Sequence, residues 1–435
     1  MRLIVLYILL FAVGALQAQK WVYTQIDSAS YAQYKSNDIK GIRKTLKKAA
    51  ENNIDFYHLQ LCAGSVFYNK GKYEKAAVHF NKALKFFPAD SLAREYLYYT
   101  HSFTGNTFEA QRTGDKLIPS QKQRLGYKLK ATQSISLSGG YAISDNEATN
   151  GGIELWQPGV INGETRQLNS TGFVQLSLVN NLSKNVKLIS AYNYVGLGTT
   201  YRVDATFFDS TSNYTTHQNS LYLSPVFYLG KGWSIAPAAH LTHFAYKAYR
   251  RAYESGIPKN TTDTVRSTLF YGGLEFAKRF TGGSASLAAG VSNFDGRIIH
   301  ADAGLVYYPL GNTNLYGVTH FLLLKDILNP YVAVTQKVGF KMAKKLWGEL
   351  GFAKGQLRYF AEGNGFTIYN IPDEITMKLS ATLNYYPTKH VNVFIGYAYL
   401  QREGGYSQSF GAGNEFTYRT YYNNHFISTG ITFTP

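Results

Sequence analysis

A single cysteine, Cys62, is present in 435 residues. This excludes an internal disulfide framework and any zinc site built on paired thiols. No His/Cys cluster with metal-ligand spacing occurs, and no cofactor motif is found. Beyond residues 3–16 there is no apolar run approaching the ~18 residues of a helical membrane span. Acidic residues are few, 27 Asp+Glu against 44 Lys+Arg, which leaves a net charge of +17. Such a balance suits polyanions. The N-terminus, however, reads as an export signal and no nucleic-acid motif follows, so nucleic acid is excluded as a partner. Anionic lipid, an anionic polymer or an acidic protein are left.

The export signal covers residues 1–18: Met1-Arg2, an apolar stretch over 3–16, and Leu16-Gln17-Ala18 as the cleavage site. No cysteine sits there to take a lipid anchor. What the chain has in abundance is tyrosine (36), phenylalanine (27) and glycine (40). Tyrosine can hold its ring at a membrane interface with its hydroxyl in water. Mean hydropathy is −0.21, as expected where apolar and polar residues alternate.

Residues 374–400 give that alternation most clearly. Ile375, Met377, Leu379, Ala381, Leu383 and Tyr385 are apolar, and Thr376, Lys378, Ser380, Thr382 and Asn384 between them are polar. After the turn Pro387-Thr388-Lys389-His390, alternation resumes with Val391, Val393, Ile395, Tyr397 and Tyr399. A period of two sorts the two sets onto opposite faces of a strand, one for lipid and one for water. Each arm has about the 9–11 residues that a tilted transmembrane strand needs.

The pattern recurs. About fourteen strands are expected, near 129–142, 168–180, 186–198, 217–229, 233–247, 265–279, 284–294, 298–308, 315–325, 330–340, 346–355, 374–386, 391–402 and 421–433. Alternate connections are short, such as those at 180–185, 230–232 and 387–390. The others, around 143–167, 199–216, 248–264, 356–373 and 403–420, read as long polar loops. That segregation is the membrane-barrel pattern. Short turns carry Lys184, Lys231, Lys341, Lys344, Lys345 and Lys389, while acids collect in the long loops. A basic rim faces anionic lipid headgroups or attracts an anionic polymer. Tyr307-Tyr308-Pro309 and Tyr385-Tyr386-Pro387 mark one girdle. The alternating Ile427, Thr429, Ile431 and Phe433 resemble the terminal strand read by the barrel assembly machinery, although Thr434 and Pro435 follow. The fold expected over 128–435 is an all-β transmembrane barrel in the outer membrane, with outer-membrane lipid as its surroundings.

Residues 19–118 read as helical, and 119–127 as a linker. Gly64, Phe67, Gly71, Tyr73, Ala76, Phe80, Ala83 and Pro88 carry the spacing of a tetratricopeptide repeat. Gly105 and Ala110, 34 residues after Gly71 and Ala76, mark a weaker second copy from about Ser91, and Asn37, Ile39, Leu46 and Ala49 a degenerate first one. The segment resembles the tetratricopeptide family. That resemblance implies an all-α, periplasmic module which binds a partner protein, the alternative being helices that only brace the barrel mouth. The domain order is similar to that of exopolysaccharide exporters and of the YaiO-type barrels.

Candidate lumen residues are Lys130, Lys187, Lys278 and Lys378. Candidate catalytic chemistry is limited to His300 and Asp302, two apart on one strand, with His320 on the next and Ser292 as a nucleophile. No barrel phospholipase or protease signature accompanies them, so the expectation is no enzyme and satisfied interior polar groups. His240 and His243 are three apart and face opposite ways, which rules them out as a metal pair. The expected function is an outer-membrane pore or export component whose repeat binds a partner or gates the barrel. The alternatives are a scaffold with a plugged lumen and, further off, a lipid hydrolase.

Overall fold

The computed structural model describes residues 22–145, 155, 160, 162–205, 208–254, 257–294, 296–326, 329–369, 373–410 and 415–435. The export signal lies outside the described residues. The chain divides into a helical unit and a barrel unit.

The helical unit contains α1 (Tyr23–Ser36), α2 (Ile39–Glu51), α3 (Tyr57–Asn69), α4 (Tyr73–Phe86), α5 (Ser91–Phe103), α6 (Thr107–Asp115) and α7 (Pro119–Leu125). Turns and caps are written locally. The Asp90 carboxylate accepts from the amides of Leu92 and Ala93 at 2.9 and 3.2 Å, which satisfies donors that the first turn of a helix leaves open. Gly71, at φ 67°, turns α3 into α4, a backbone state that glycine enters without strain. Ile42, Val66, Ala76, Phe80, Ala83 and Ala93 are fully buried in the seam. The expected linker 119–127 is instead largely helical: Pro119 fits the first turn and Gly126 ends the helix at φ 60°. Seven residues are too few to display a helical period in the sequence. Among the described residues no helix is long and apolar enough to cross a membrane.

The barrel is a closed ring of fourteen antiparallel strands in the order β1-β16-β15-β14-β11-β10-β9-β8-β7-β6-β5-β4-β3-β2. The wall strands are β1 (Thr132–Ser144), β2 (Asn162–Ser183), β3 (Val186–Ala205), β4 (Phe208–Gly230), β5 (Trp233–Glu254), β6 (Ile257–Phe280) and β7 (Gly283–Ser292). They continue with β8 (Ile298–Tyr307), β9 (Leu315–Lys325), β10 (Pro330–Ala343), β11 (Leu346–Leu357), β14 (Glu374–Thr388), β15 (Val391–Ser409) and β16 (Glu415–Phe433). Two short strands, β12 (Ala361–Glu362) and β13 (Thr367–Ile368), pair with each other inside the β11–β14 connection. Closure leaves no edge strand to pair with another chain.

The outer wall is apolar. Leu287, Ile427, Phe321, Val332, Ile395 and Leu350 are each more than half exposed. Large apolar side chains displayed all round a wall require a non-aqueous surrounding. The barrel is therefore of the transmembrane type. On β14, Leu379 and Leu383 point out, 43% and 45% exposed, whereas Lys378 points in.

Two expectations are corrected here. The stretches 199–216, 248–264 and 403–420 are not long loops but continue as paired strands, with Ala205 opposite Phe208, Glu254 opposite Ile257 and Ser409 opposite Glu415. Hydrophobic alternation fades where a strand leaves the membrane, but the backbone ladder does not depend on lipid. Ile375 is not lipid-facing: a register shift between Ile375 and Met377 turns it inward, and it is 3% exposed in the luminal core.

Candidate functional site: an occluded lumen

The β11–β14 connection does not stay outside the wall. Its residues 358–369 fold into the lumen as a small hairpin closed by β12 and β13. Phe360 and Ala361 are buried with Tyr271, Ile298, Leu322, Leu324 and Leu357 of the wall. The turn at the tip, Gly363-Asn364-Gly365, has φ values of 63°, 53° and 82°, a run of left-handed residues that glycine and asparagine tolerate. Its polar atoms are met by the wall. Asn364 Nδ2 donates to the Ala236 carbonyl at 2.8 Å. The Gly365 carbonyl accepts from His240 Nδ1 at 2.6 Å, which fixes the proton on that nitrogen. Tyr222 meets Phe366 edge-on, with centroids 5.2 Å apart. The base of the hairpin is tied by polar groups: Tyr369 Oη donates to Glu362 Oε2 at 2.8 Å and accepts from Lys378 Nζ at 3.1 Å.

The hairpin leans on the wall from β4 to β11, beside two cavities. One, of about 350 Å³, lies toward the end of the barrel where the strands run longest. Its lining includes Phe173, Asn193, Phe366, Lys378, Arg402 and Asn424. The other, of about 460 Å³, lies toward the short turns and is more polar, with Gln336, Lys337, Glu349, Glu362, Thr382 and Ser428 among its walls. Phe366, Thr367 and Tyr369 of the hairpin border both, together with Lys378, Ala398 and Phe426 of the wall.

Of the expected lumen lysines, Lys378 borders both cavities and Lys187, 7% exposed, faces inward. The other two do not line the lumen. Lys278 is on the outward parity of β6, alongside the exposed Phe276 and Phe280, with its ammonium 4.8 Å from the Trp233 ring centroid. Lys130 precedes β1 and donates to the Pro435 carbonyl. Lys278 shares its parity with Leu274, Phe276 and Phe280, so alternation itself places it outward, and Lys130 lies before the first strand.

The catalytic candidates come together but not as a triad. Ser292 Oγ lies 2.8 Å from His300 Nε2. His300 Nδ1 is buried without a partner. Asp302 accepts instead from His320 Nδ1, at 2.8 and 3.1 Å. A general base needs its second nitrogen oriented by an acceptor, and here the carboxylate serves another histidine. Tyr271 and Phe294 pack edge-on against His300. Among the described residues no group of three or more His, Cys, Asp and Glu could hold a metal ion. Sequence reasoning missed the hairpin anchors His240, Asn364 and Gly365, whose only signal was the glycine-rich Gly363-Asn364-Gly365.

In the helical unit the repeat-motif residues sit together. A Cβ at Gly64 would lie 2.7 Å from Phe80 Cε1, so α3 and α4 pack backbone to ring. Phe67, Ala76, Phe80 and Ala83 are buried, Tyr73 is half-buried against Tyr68, and Pro88 follows α4. Burial pushes the Cys62 thiol up to about 11, so it is not a reactive thiolate.

No family model matches the chain, and no curated protein matches it. Among solved structures, the toluene transporter TodX of Pseudomonas putida is 10% identical over 69% of this chain and 90% of its own, with a TM-score of 0.43. A Pseudomonas aeruginosa FadL homologue is 11% identical over 69% and 90%, at 0.43. The translocator domain of the autotransporter NalP from Neisseria meningitidis is 10% identical over 77% and 99%, at 0.30. Likeness of this degree is confined to general barrel form and says nothing about cargo.

Proposed function

We propose that the protein is an outer-membrane conduit for small solutes, held closed by its own luminal hairpin, and that its helical unit is a periplasmic tetratricopeptide-type module which binds a partner protein. The observation that carries the first part is the seating of residues 358–369 inside the lumen, where they border both cavities. A hairpin seated by a small apolar contact and a few hydrogen bonds, bordering two cavities, has room to swing aside, whereas a side-chain-filled barrel does not. The occluded lumen favours small solutes over a polysaccharide. The repeat-like seam and the family resemblance support the second part. The protein is read as a non-enzyme, because Asp302 is engaged by His320 rather than by the serine-paired His300.

The test is a cysteine pair replacing Ala236 and Asn364 in the full chain, followed in liposomes as small-solute flux. Flux when reduced and none when oxidised supports a gated conduit. No flux in either state, with the wild type equally closed, overturns it in favour of a scaffold with a fixed plug.

A further inference from the structure

The cavity of about 350 Å³ beside the hairpin has the make-up of a ligand site. Its volume lies at the lower end of cavities that enclose small molecules. One wall is aromatic and aliphatic. Phe173 and Phe426 stack with centroids 5.5 Å apart, and Phe366, Ile368, Ile375 and Leu400 complete that wall. The polar groups are biased in sign: Lys378 and Arg402 are among the lining residues and no aspartate or glutamate is.

One polar group is unspent. Asn424 is 1% exposed, and its Oδ1 accepts from Arg402 Nε at 2.5 Å. Because Arg402 Nε is a donor, that contact fixes the amide, so Nδ2 is the free end. Asn424 Nδ2 is buried and has no hydrogen-bond partner, although Asn424 lines the cavity. Asn193 Oδ1, on β3 and also in the lining, is likewise buried without a partner, an acceptor suited to a hydroxyl or a water. A buried donor left unmade costs folding free energy that a matching acceptor recovers. Arg402 is held in place by Asn424 and by the Asp373 carbonyl, to which its Nη1 donates at 3.3 Å.

We propose that this cavity binds a small amphiphilic anion, an aromatic or short-chain carboxylate whose body packs on Phe173, Phe426 and Phe366 and whose acid group meets the free Asn424 amide beside Arg402. The proposal rests on the conduit reading and names the chemistry of its solute. Lys378, on the hairpin side, raises the preference for negative charge. Its Nζ is held by Tyr369, and a solute there touches the hairpin itself. Neutral molecules of the same shape fill the apolar wall but gain less from Lys378 and Arg402, whose acidic neighbours, Glu362 beyond Tyr369 and Asp373, stand outside the lining.

The experiment is calorimetric titration of the full chain in lipid nanodiscs with 4-phenylbutyrate, its amide and 4-phenylbutylamine. The acid is expected to bind about 10-fold or more tighter than the amide, since hydrogen bonds to a charged group are the stronger ones, and the amine not at all. Lys378→Met should weaken the acid and spare the amide. Asn424→Asp, nearly isosteric, should abolish acid binding while the barrel keeps its folded gel mobility. Equal affinity for acid and amide, failure of all three probes to bind, or indifference of the acid to Asn424→Asp would overturn the proposal. Hairpin-dependent flux with no probe binding would overturn this site and leave the conduit standing. Charge-selective binding without flux in any state would do the reverse.

Discussion

Gly365 stands with its bare α-carbon against the Tyr271 ring: a Cβ at 365 would lie 2.2 Å from Tyr271 Cε1, and the backbone there is at φ 82°. The contact explains why the tip of the luminal hairpin reaches the wall. A glycine is needed twice over, for the left-handed backbone and for the approach to the ring. The ring itself is hemmed in, because Gly273 and Gly290 would each place a Cβ within 2.5 Å of the Tyr271 hydroxyl.

Replacing that glycine tests the docking of the hairpin. Gly365→Ala combines a steric clash with a disfavoured φ, together worth roughly 1–3 kcal/mol against the docked hairpin. The hairpin population should shift outward, and single-channel recordings in planar bilayers should show more frequent or larger openings than wild type. Unchanged recordings with the hairpin still docked would mean the wall accommodates the methyl group.

The assignment of faces is tested by Leu379→Arg and Ser380→Arg. Leu379 is exposed on the apolar outer wall, and Ser380 lines the cavity toward the short turns. Arginine on the lipid side near mid-membrane costs about 2–4 kcal/mol, and far less where the lumen can hydrate it. The folded fraction, read by heat-modifiable gel mobility after refolding into lipid, should drop for Leu379→Arg and hold for Ser380→Arg.

Packing in the helical unit is tested by Gly64→Ala. The added carbon would meet Phe80 Cε1 at 2.7 Å, with Phe80 fully buried. Overpacking of that kind costs about 1–3 kcal/mol. The helical signal at 222 nm of the full chain should melt several degrees earlier, with the barrel transition unchanged.

The same unit should be acid-sensitive through His79. Burial, with the charges of Lys82 and Lys75 adding to it, pulls its imidazole down to about 4. Its Nδ1 lies 2.6 Å from Gln60 Oε1, which as an acceptor places the proton on that nitrogen, and the ring stacks on Phe67. The unfolded chain takes up a proton near pH 6.5 and the folded one only near 4. Stability is therefore complete above about pH 6.5 and falls as pH drops toward 4, by roughly 1–3 kcal/mol. Thermal melts at 222 nm should lose less of their pH dependence to any other substitution than to His79→Gln. An unchanged slope in that variant would assign the acid sensitivity elsewhere.

The sequence alone determined the barrel wall. Lipid imposes a period of two on every strand, so Leu379 and Ser380 are sorted by parity whatever surrounds them. The number of wall strands follows from the same rule, but the reach of the long strands beyond the membrane does not. Likewise, Gly64, Phe67, Ala76 and Phe80 announce a tight helix seam, because helix packing repeats at fixed spacing. Only the tertiary structure decided what fills the lumen. His240 meets Gly365 across 125 positions of chain, and Asn424 Nδ2 is left free by a bond from Arg402 on the neighbouring strand. No period encodes such contacts, because they depend on how the ring closes and on where an irregular segment comes to rest. For the same reason Lys130 falls outside the wall and Ile375 turns inward, whereas Lys278, on the parity of Phe276 and Phe280, was legible as outward from the alternation itself. Parity is local and survives any fold, but a bulge, a strand end or a loop inside the barrel is settled only by which partners lie within reach.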